Sequence, residues 1–203
     1  MGMGGWGSER VGAEGDAGYR PRVLLDSRFR SRLSARVRRA AVRLGLGSGP
    51  SEFTRVVYSH PREIVLITAL HGADEALWPV DWHMPVALAP PTYAFSCNAA
   101  AFGSRVVVAA GAFTVNFLSP DQEQTILQAG AMSGSDGNKR ERLGLRARTT
   151  NFVRSTRLEV AVGWLECEVQ SVHPLGDRLL VIGRVRHAER PDGHPRLFHE
   201  WRA

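Results

Sequence analysis

From Glu52 onward the chain alternates short apolar runs with clusters of Gly, Pro, Asp and Ser, a spacing that suits many short strands better than long helices. Runs rich in β-branched and aromatic residues predict strands over 55–58, 64–70, 91–97, 113–117, 163–173 and 178–187. The turn signals His-Pro-Leu-Gly-Asp at 173–177 and Arg-Pro-Asp-Gly-His-Pro at 190–195 separate the late strands at hairpin distance. A helix is expected over 121–128, with Ser119 as N-cap and Pro120 in its first turn. Residues 103–110 also look helical, although Val106, Val107 and Val108 alone would read as strand. The fold class that follows is all-β, a barrel with short helical insertions.

One segment interrupts this pattern. Residues 80–91, Val-Asp-Trp-His-Met-Pro-Val-Ala-Leu-Ala-Pro-Pro, gather a Trp, a His, a Met and three prolines in a stretch that reads as a stiff loop with partly free amides. Proline lacks the N–H of a ladder and fixes φ, so Pro85, Pro90 and Pro91 must mark turns or a sheet edge. A stiff surface of this kind suits a flat ligand with a polar rim.

Upstream, residues 1–18 are rich in Gly and lack periodicity, as a poorly ordered lead-in does. Over 27–44, Phe29, Leu33, Val37, Ala41 and Leu44 recur at helical spacing among seven Arg residues. That pattern fits a surface helix, a transit-type peptide or a loosely docked extension. The Gly-Ser-Gly-Pro-Ser run at 47–51 is a natural linker, which divides the chain into an Arg/Gly-rich extension (1–50) and a folded domain (51–203).

The formal net charge of +6 changes meaning once it is located. Residues 1–50 hold 10 Arg against Glu9, Glu14, Asp16 and Asp26, which accounts for all of it, so the rest of the chain is formally neutral. No basic face, and hence no nucleic-acid partner, is implied for the domain. Cys97 and Cys167 are far apart without metal spacing and sit in apolar runs, as small buried hydrophobes do. No apolar stretch approaches the roughly 20 residues of a membrane helix, so no membrane span and a cytoplasmic location are expected.

Five blocks in order carry a family resemblance: SHPREIVLITA (59–69), DWHMPVALAPPTYAFSC (81–97), GAFTVNFLSPDQEQ (111–124), SGSDGNKRERLGL (133–145) and VGWLECEVQSVHPLGDRLLVIGRV (162–185). Together they resemble the flavin reductase-like, FMN-binding split-barrel proteins, in particular the flavoredoxin-like branch. The resemblance implies an FMN-binding split β-barrel of Greek-key type, a homodimer, and a short helix at 103–110. It also implies FMN as cofactor, with FAD as the variant, and NAD(P)H as a transient substrate lying over the flavin.

FMN needs an apolar cover for one ring face, backbone groups along its pyrimidine edge, and N–H donors, hydroxyls or cations for its phosphate. Asp81, Trp82, His83, Met84, Pro85 and Val86 are the candidates for the ring, with Trp82 as packing wall. Asn98, Ser104 and Arg105 are the candidates for the phosphate, because they lie between a strand and a possible helix N-terminus. Lys139, the only lysine in the chain, resembles the family's Lys after a Ser-Gly pair, although Arg140 stands where a Phe is usual.

Three departures bear on activity. Gly103 occupies the position of a family Thr, and Ala76 or Leu77 that of an Asn. Arg178 follows Gly176-Asp177 where many relatives carry a His near the nicotinamide, while His194 and His199 lie close to the C-terminus. No Gly-rich dinucleotide fingerprint, metal motif or nucleophile-base set is present, and no catalytic residue is assigned. The leading function is a flavin-dependent oxidoreductase that takes hydride from NAD(P)H and passes electrons to free flavin, oxygen or an acceptor protein. The alternatives are a flavoredoxin-like carrier without nicotinamide activity and a degenerate barrel that serves as an interaction module.

Overall fold

The structure is a computed structural model that describes residues 52–57 and 62–190. In chain order it contains helix α1 (Glu52–Val57) and strands β1 (Val65–His71), β2 (Asp74–Val80), β3 (His83–Leu88) and β4 (Pro91–Asn98). Helix α2 (Phe102–Ala110), strand β5 (Ala112–Phe117) and helices α3 (Glu123–Ala131) and α4 (Lys139–Arg142) follow. The chain then forms β6 (Ala147–Thr149), β7 (Thr156–Leu158), β8 (Gly163–Leu175) and β9 (Arg178–Glu189). β6 and β7 form a small ribbon, and the other seven strands form one antiparallel sheet in the order β2-β1-β5-β8-β9-β4-β3.

That order dictates the shape. β2 and β3 are opposite edges, yet only Asp81 and Trp82 lie between them. Laid flat, seven strands at ~4.8 Å spacing would put those edges roughly 29 Å apart. A two-residue link reaches about 11 Å between flanking Cα atoms. The sheet therefore rolls until its edges meet at Asp81–Trp82, and the barrel is split there because no ladder joins β2 to β3.

β1 shows why the wall holds. It is buried on both sides, with Val65, Ile67 and Ala69 facing an inner core that includes Phe95, Phe113, Val115, Cys167 and Val181. On its other face Leu66 packs with Leu77, Leu118, Ile126, Leu158 and Trp164 under α3 and the β6–β7 ribbon. Burying each such large side chain is worth about 1.5–3 kcal/mol. Phe113 and Phe95 meet edge-on at 4.9 Å, and Gly183 opposite them has no room for a side chain, since a Cβ would lie 2.6 Å from the Phe113 ring. The β8–β9 hairpin turns through Gly176, whose φ of 60° is the left-handed value that glycine tolerates. Both cysteines are buried and free, as small hydrophobes.

The all-β split barrel is the expected fold class, and the strands near 64–70, 91–97, 113–117, 163–173 and 178–187 are present with ends shifted by a few residues. Residues 103–110 are helical within α2, which closes on Gly111. Three expectations are corrected. The strand expected at 55–58 is instead helical over 55–57, within α1, whose first turn carries Glu52 and whose Phe53 and Val56 are exposed; Tyr58 lies outside the described residues.

The loop read at 80–91 is largely the edge strand β3. Pro85 is tolerated there because β3 pairs only with β4, Pro90 lies in the following turn after a cis bond, and Pro91 is the first residue of β4. The helix at 121–128 begins as a 3-10 turn at Pro120–Gln122 and continues as α3. Ser119 makes no side-chain cap, because its hydroxyl donates to the Asp121 carboxylate. The 27–44 helix, most of the 190–195 turn, His194 and His199 lie outside the described residues.

Candidate functional site

The seam that closes the barrel also builds the principal cavity. Ser96 N–H donates to Trp82 O at 2.8 Å, which ties the bend to β4, and Asp81 pairs with Arg62 at 3.5 Å. Beside them opens a cavity of about 980 Å³ lined by Asp81, Trp82, His83, Met84 and Pro85, with Tyr93, Phe95, Phe117 and Leu165 among its apolar walls. Five of the six ring candidates thus share one cavity. Val86 does not line it and faces solvent. Trp82 is packed by Arg178, whose guanidinium carbon lies 4.5 Å from the indole centre. The residue that departs from the family's His thus packs against a wall residue and does not itself line the cavity.

His83 is fixed at both nitrogens. Nε2 lies 3.0 Å from Glu63 O, and Nδ1 lies 2.6 Å from Tyr93 Oη. A carbonyl can only accept, so Nε2 carries the proton, and in the neutral ring Nδ1 accepts from the tyrosine hydroxyl. Burial is the main influence on the imidazole and lowers its pKa from the ordinary value, against the opposing effects of the Glu63 carbonyl and Asp81. His83 is thus a neutral side chain that holds Tyr93 in the cavity wall.

The phosphate candidates divide. Arg105 and Lys139 line a second, smaller cavity of about 320 Å³, together with Ala76, Trp78, Ser133, Gly134 and Ser135. Asn98 and Ser104 do not line it, and the oxygen of each side chain is engaged within its own turn. Asn98 Oδ1 accepts from Ala100 N–H at 2.9 Å, and Ser104 is buried with its hydroxyl donating to Asn98 O. The two cavities share no lining residue.

The smaller cavity is electropositive. α2 begins at it, with Ala101, Phe102 and Gly103 among the lining residues, and has neither a side-chain cap nor an acidic residue in its first turn to offset the partial positive charge of a helix N-terminus. Lys139 is only 6% exposed, donates to Ala129 O at 2.9 Å, and among the described residues forms no ion pair. Burial lowers the pKa of its amine. Its neighbours are anchored by Glu75, which accepts from Arg140 Nε at 2.8 Å, Asn138 Nδ2 at 2.9 Å and Thr156 Oγ1 at 3.1 Å.

Sequence reasoning missed Trp78, Tyr93, Ser133 and Ser135. The serines lie in the Ser-Gly block that carried the resemblance, and counting them as hydroxyl donors would have found them. Tyr93 reads as core in any strand pattern. Trp78 precedes Pro79, which masks β2. Among the described residues no cluster of His, Cys, Asp or Glu is placed to hold a metal, and no helix is long and apolar enough to cross a membrane.

A rolled antiparallel sheet split at one seam is the architecture of a split barrel. The sequence matches the model of the flavin reductase like domain over residues 57–202, and the chain belongs to that family. It is 33% identical over 115 residues to an NADH-dependent flavin reductase of a Rhodococcus species, covering 56% of this chain and 60% of that one. It is 26% identical over 136 residues to the reductase component of 4-hydroxyphenylacetate 3-monooxygenase from Thermus thermophilus, covering 67% and 82%. Among solved structures, the NADH:FAD oxidoreductase of Streptomyces globisporus superimposes with a TM-score of 0.68 at 17% identity, covering 75% of this chain and 91% of that one.

Proposed function

We propose that this chain is an FMN-binding flavin reductase whose substrate is NAD(P)H and whose electrons leave to free flavin, oxygen or an acceptor protein. The observation that carries the reading is the buried Lys139 ammonium, which has no carboxylate partner among the described residues and faces a cavity. A buried cation is costly unless an anion meets it, and a flavin phosphate is such an anion. Of the three N–H donors on the amine, Ala129 takes one. Arg105, Ser133, Ser135 and the α2 amides complete a donor set suited to a phosphate, and FAD is the variant ligand.

The larger cavity supplies what a ring needs. Trp82, braced by Arg178, offers a flat apolar wall, and the outer edge of β3 offers main-chain groups outside any ladder. The neutral His83 keeps Tyr93 oriented and brings no charge to the wall. When bound, the flavin supplies the hydride chemistry, and the chain supplies position and electrostatics. Met84, Val86 and Leu88 stand exposed on β3, Leu88 at 91%, which supports a homodimer formed over that strand. A cytoplasmic location accords with the use of NAD(P)H.

An absorption spectrum of the purified protein after FMN addition and desalting, followed by NADH and NADPH oxidation assays, tests the reading; failure to retain or titrate flavin would overturn it. Arg105→Ala and Lys139→Ala should weaken FMN about tenfold or more, since a charge-assisted hydrogen bond contributes roughly 1.5–3 kcal/mol, and leave riboflavin nearly unchanged. The second reading is an electron carrier without nicotinamide activity. It is favoured by Arg178 standing where many relatives have a His, and flavin binding without NAD(P)H oxidation would select it.

A further inference from the structure

Two aromatic rings narrow the smaller cavity by leaning on glycines. A Cβ placed on Gly103 would lie 2.6 Å from Trp78 Cε3 and 2.8 Å from Cδ2, and one on Gly134 would lie 2.7 Å from Phe102 Cδ1. Neither glycine has a positive φ, so the backbone does not require glycine at either place. The space taken by the rings does. Trp78 is backed from inside the barrel by Phe95, edge-on at 6.1 Å, and Phe102 is covered by the Arg105 guanidinium at 5.7 Å. With a partner behind each ring and a glycine in front, both side chains are held in place at the slot. The Trp78 indole N–H is buried without an acceptor among the described residues, a donor that a ligand oxygen would satisfy.

The cavity between them, about 320 Å³, is at the lower end of the range for small-molecule sites. A phosphate monoester ends in such a slot. A dinucleotide carries a second phosphate and a nucleoside that need room beyond it. We propose that Trp78 and Phe102 form a size filter that selects a flavin ending in a phosphate monoester, FMN, against FAD. The inference rests on the reading above that this slot receives the flavin phosphate. It assigns Gly103, which departs from the family's Thr, a role in admitting the Trp78 ring.

The test is a fluorescence-quenching titration of the full chain with FMN, FAD and riboflavin, repeated on Trp78→Ala, Trp78→Phe and Phe102→Ala with folding monitored by circular dichroism. The wild-type chain should bind FMN at least about tenfold more tightly than FAD. Trp78→Ala should bring that ratio below about threefold by tightening FAD, whereas Trp78→Phe should preserve most of it. Phe102→Ala, at the outer ring, gives an independent measure should Trp78→Ala misfold. Equal affinities in the wild-type chain would overturn the filter while leaving the flavin reading intact. A ratio that survives every variant that folds would also overturn it. If no flavin binds at all, the reading itself falls, and the filter with it.

Discussion

The Arg178 guanidinium lies 4.5 Å over the Trp82 ring, joining the first residue of β9 to the bend where the barrel closes. A cation on an indole face is worth about 0.5–2 kcal/mol, according to how far it is desolvated. Arg178→Ala should lower unfolding free energy by that amount and release the Trp82 ring, seen as a change in tryptophan emission and a weaker flavin affinity. Arg178→Lys should recover part of it. Unchanged emission and affinity in the alanine variant would show that Trp82 is held by its other neighbours.

Glu75 anchors the segment that carries Lys139. Its carboxylate is buried and accepts from three side chains, Arg140, Asn138 and Thr156. Removing one partner of a buried pair leaves the other uncompensated, and Arg140 keeps some solvent contact, so Glu75→Ala should cost roughly 2–3 kcal/mol. FMN affinity should fall with it as α4 loosens. Denaturant unfolding and flavin titration of this variant measure both effects, and a loss of stability without any loss of affinity would uncouple Glu75 from the slot.

Acid should weaken the seam through His83. Its pKa is lowered in the folded chain, chiefly by burial, so as pH falls the unfolded chain takes up the proton first. The stability this group contributes is complete above about pH 6.5, the ordinary histidine value, and is lost as pH falls through the lower folded value. Protonation also makes Nδ1 a donor, so Tyr93 must turn its own proton elsewhere. His83→Gln should flatten the acid limb of unfolding free energy against pH below about 6.5; a limb identical to the wild type would assign that slope to other groups.

The whole net positive charge lies before residue 51, and the family match begins at 57. Deleting residues 1–50 should therefore leave the thermal midpoint and flavin binding unchanged, while removing any attraction to anionic vesicles. Insolubility or loss of flavin binding in the truncated chain would make the extension part of the domain.

The strands with apolar runs were legible because burial on both faces leaves mostly Val, Ile, Leu, Phe and Ala, as in β1 and β5, where Thr68, Thr114 and Asn116 are the buried polar residues. β2 and β3 were not, because β2 carries Pro79 and the prolines of 80–91, Pro85 among them, made that segment read as a loop. Only their position at the edges, a tertiary fact, makes those prolines harmless. The same limit applied to the site. Asp81 to Pro85 are contiguous and could be read together, whereas Tyr93 joins them in the larger cavity, and Trp78 meets Ser133 in the smaller one, only once the chain has folded. Asn98 and Ser104 looked like phosphate ligands because their chemistry is right, but neither lines the slot, and Asn98 Oδ1 and the Ser104 hydroxyl are used within their own turn. Arg178 looked like a missing histidine, and only the folded chain reveals what it covers.

The two-residue link between β2 and β3 has a consequence for motion. Every other junction in the rolled sheet is stitched by a backbone ladder, while the contacts at this one include Arg62 with Asp81, Ser96 with Trp82 O, His83 with Glu63 O, and Arg178 on Trp82. Local opening is cheapest where fewest bonds must break together, so the barrel breathes at the edge that lines the large cavity. A bound molecule bridging the two sides would act as a clasp, and amide exchange along β2 and β3 should slow on binding far more than along the β8–β9 hairpin.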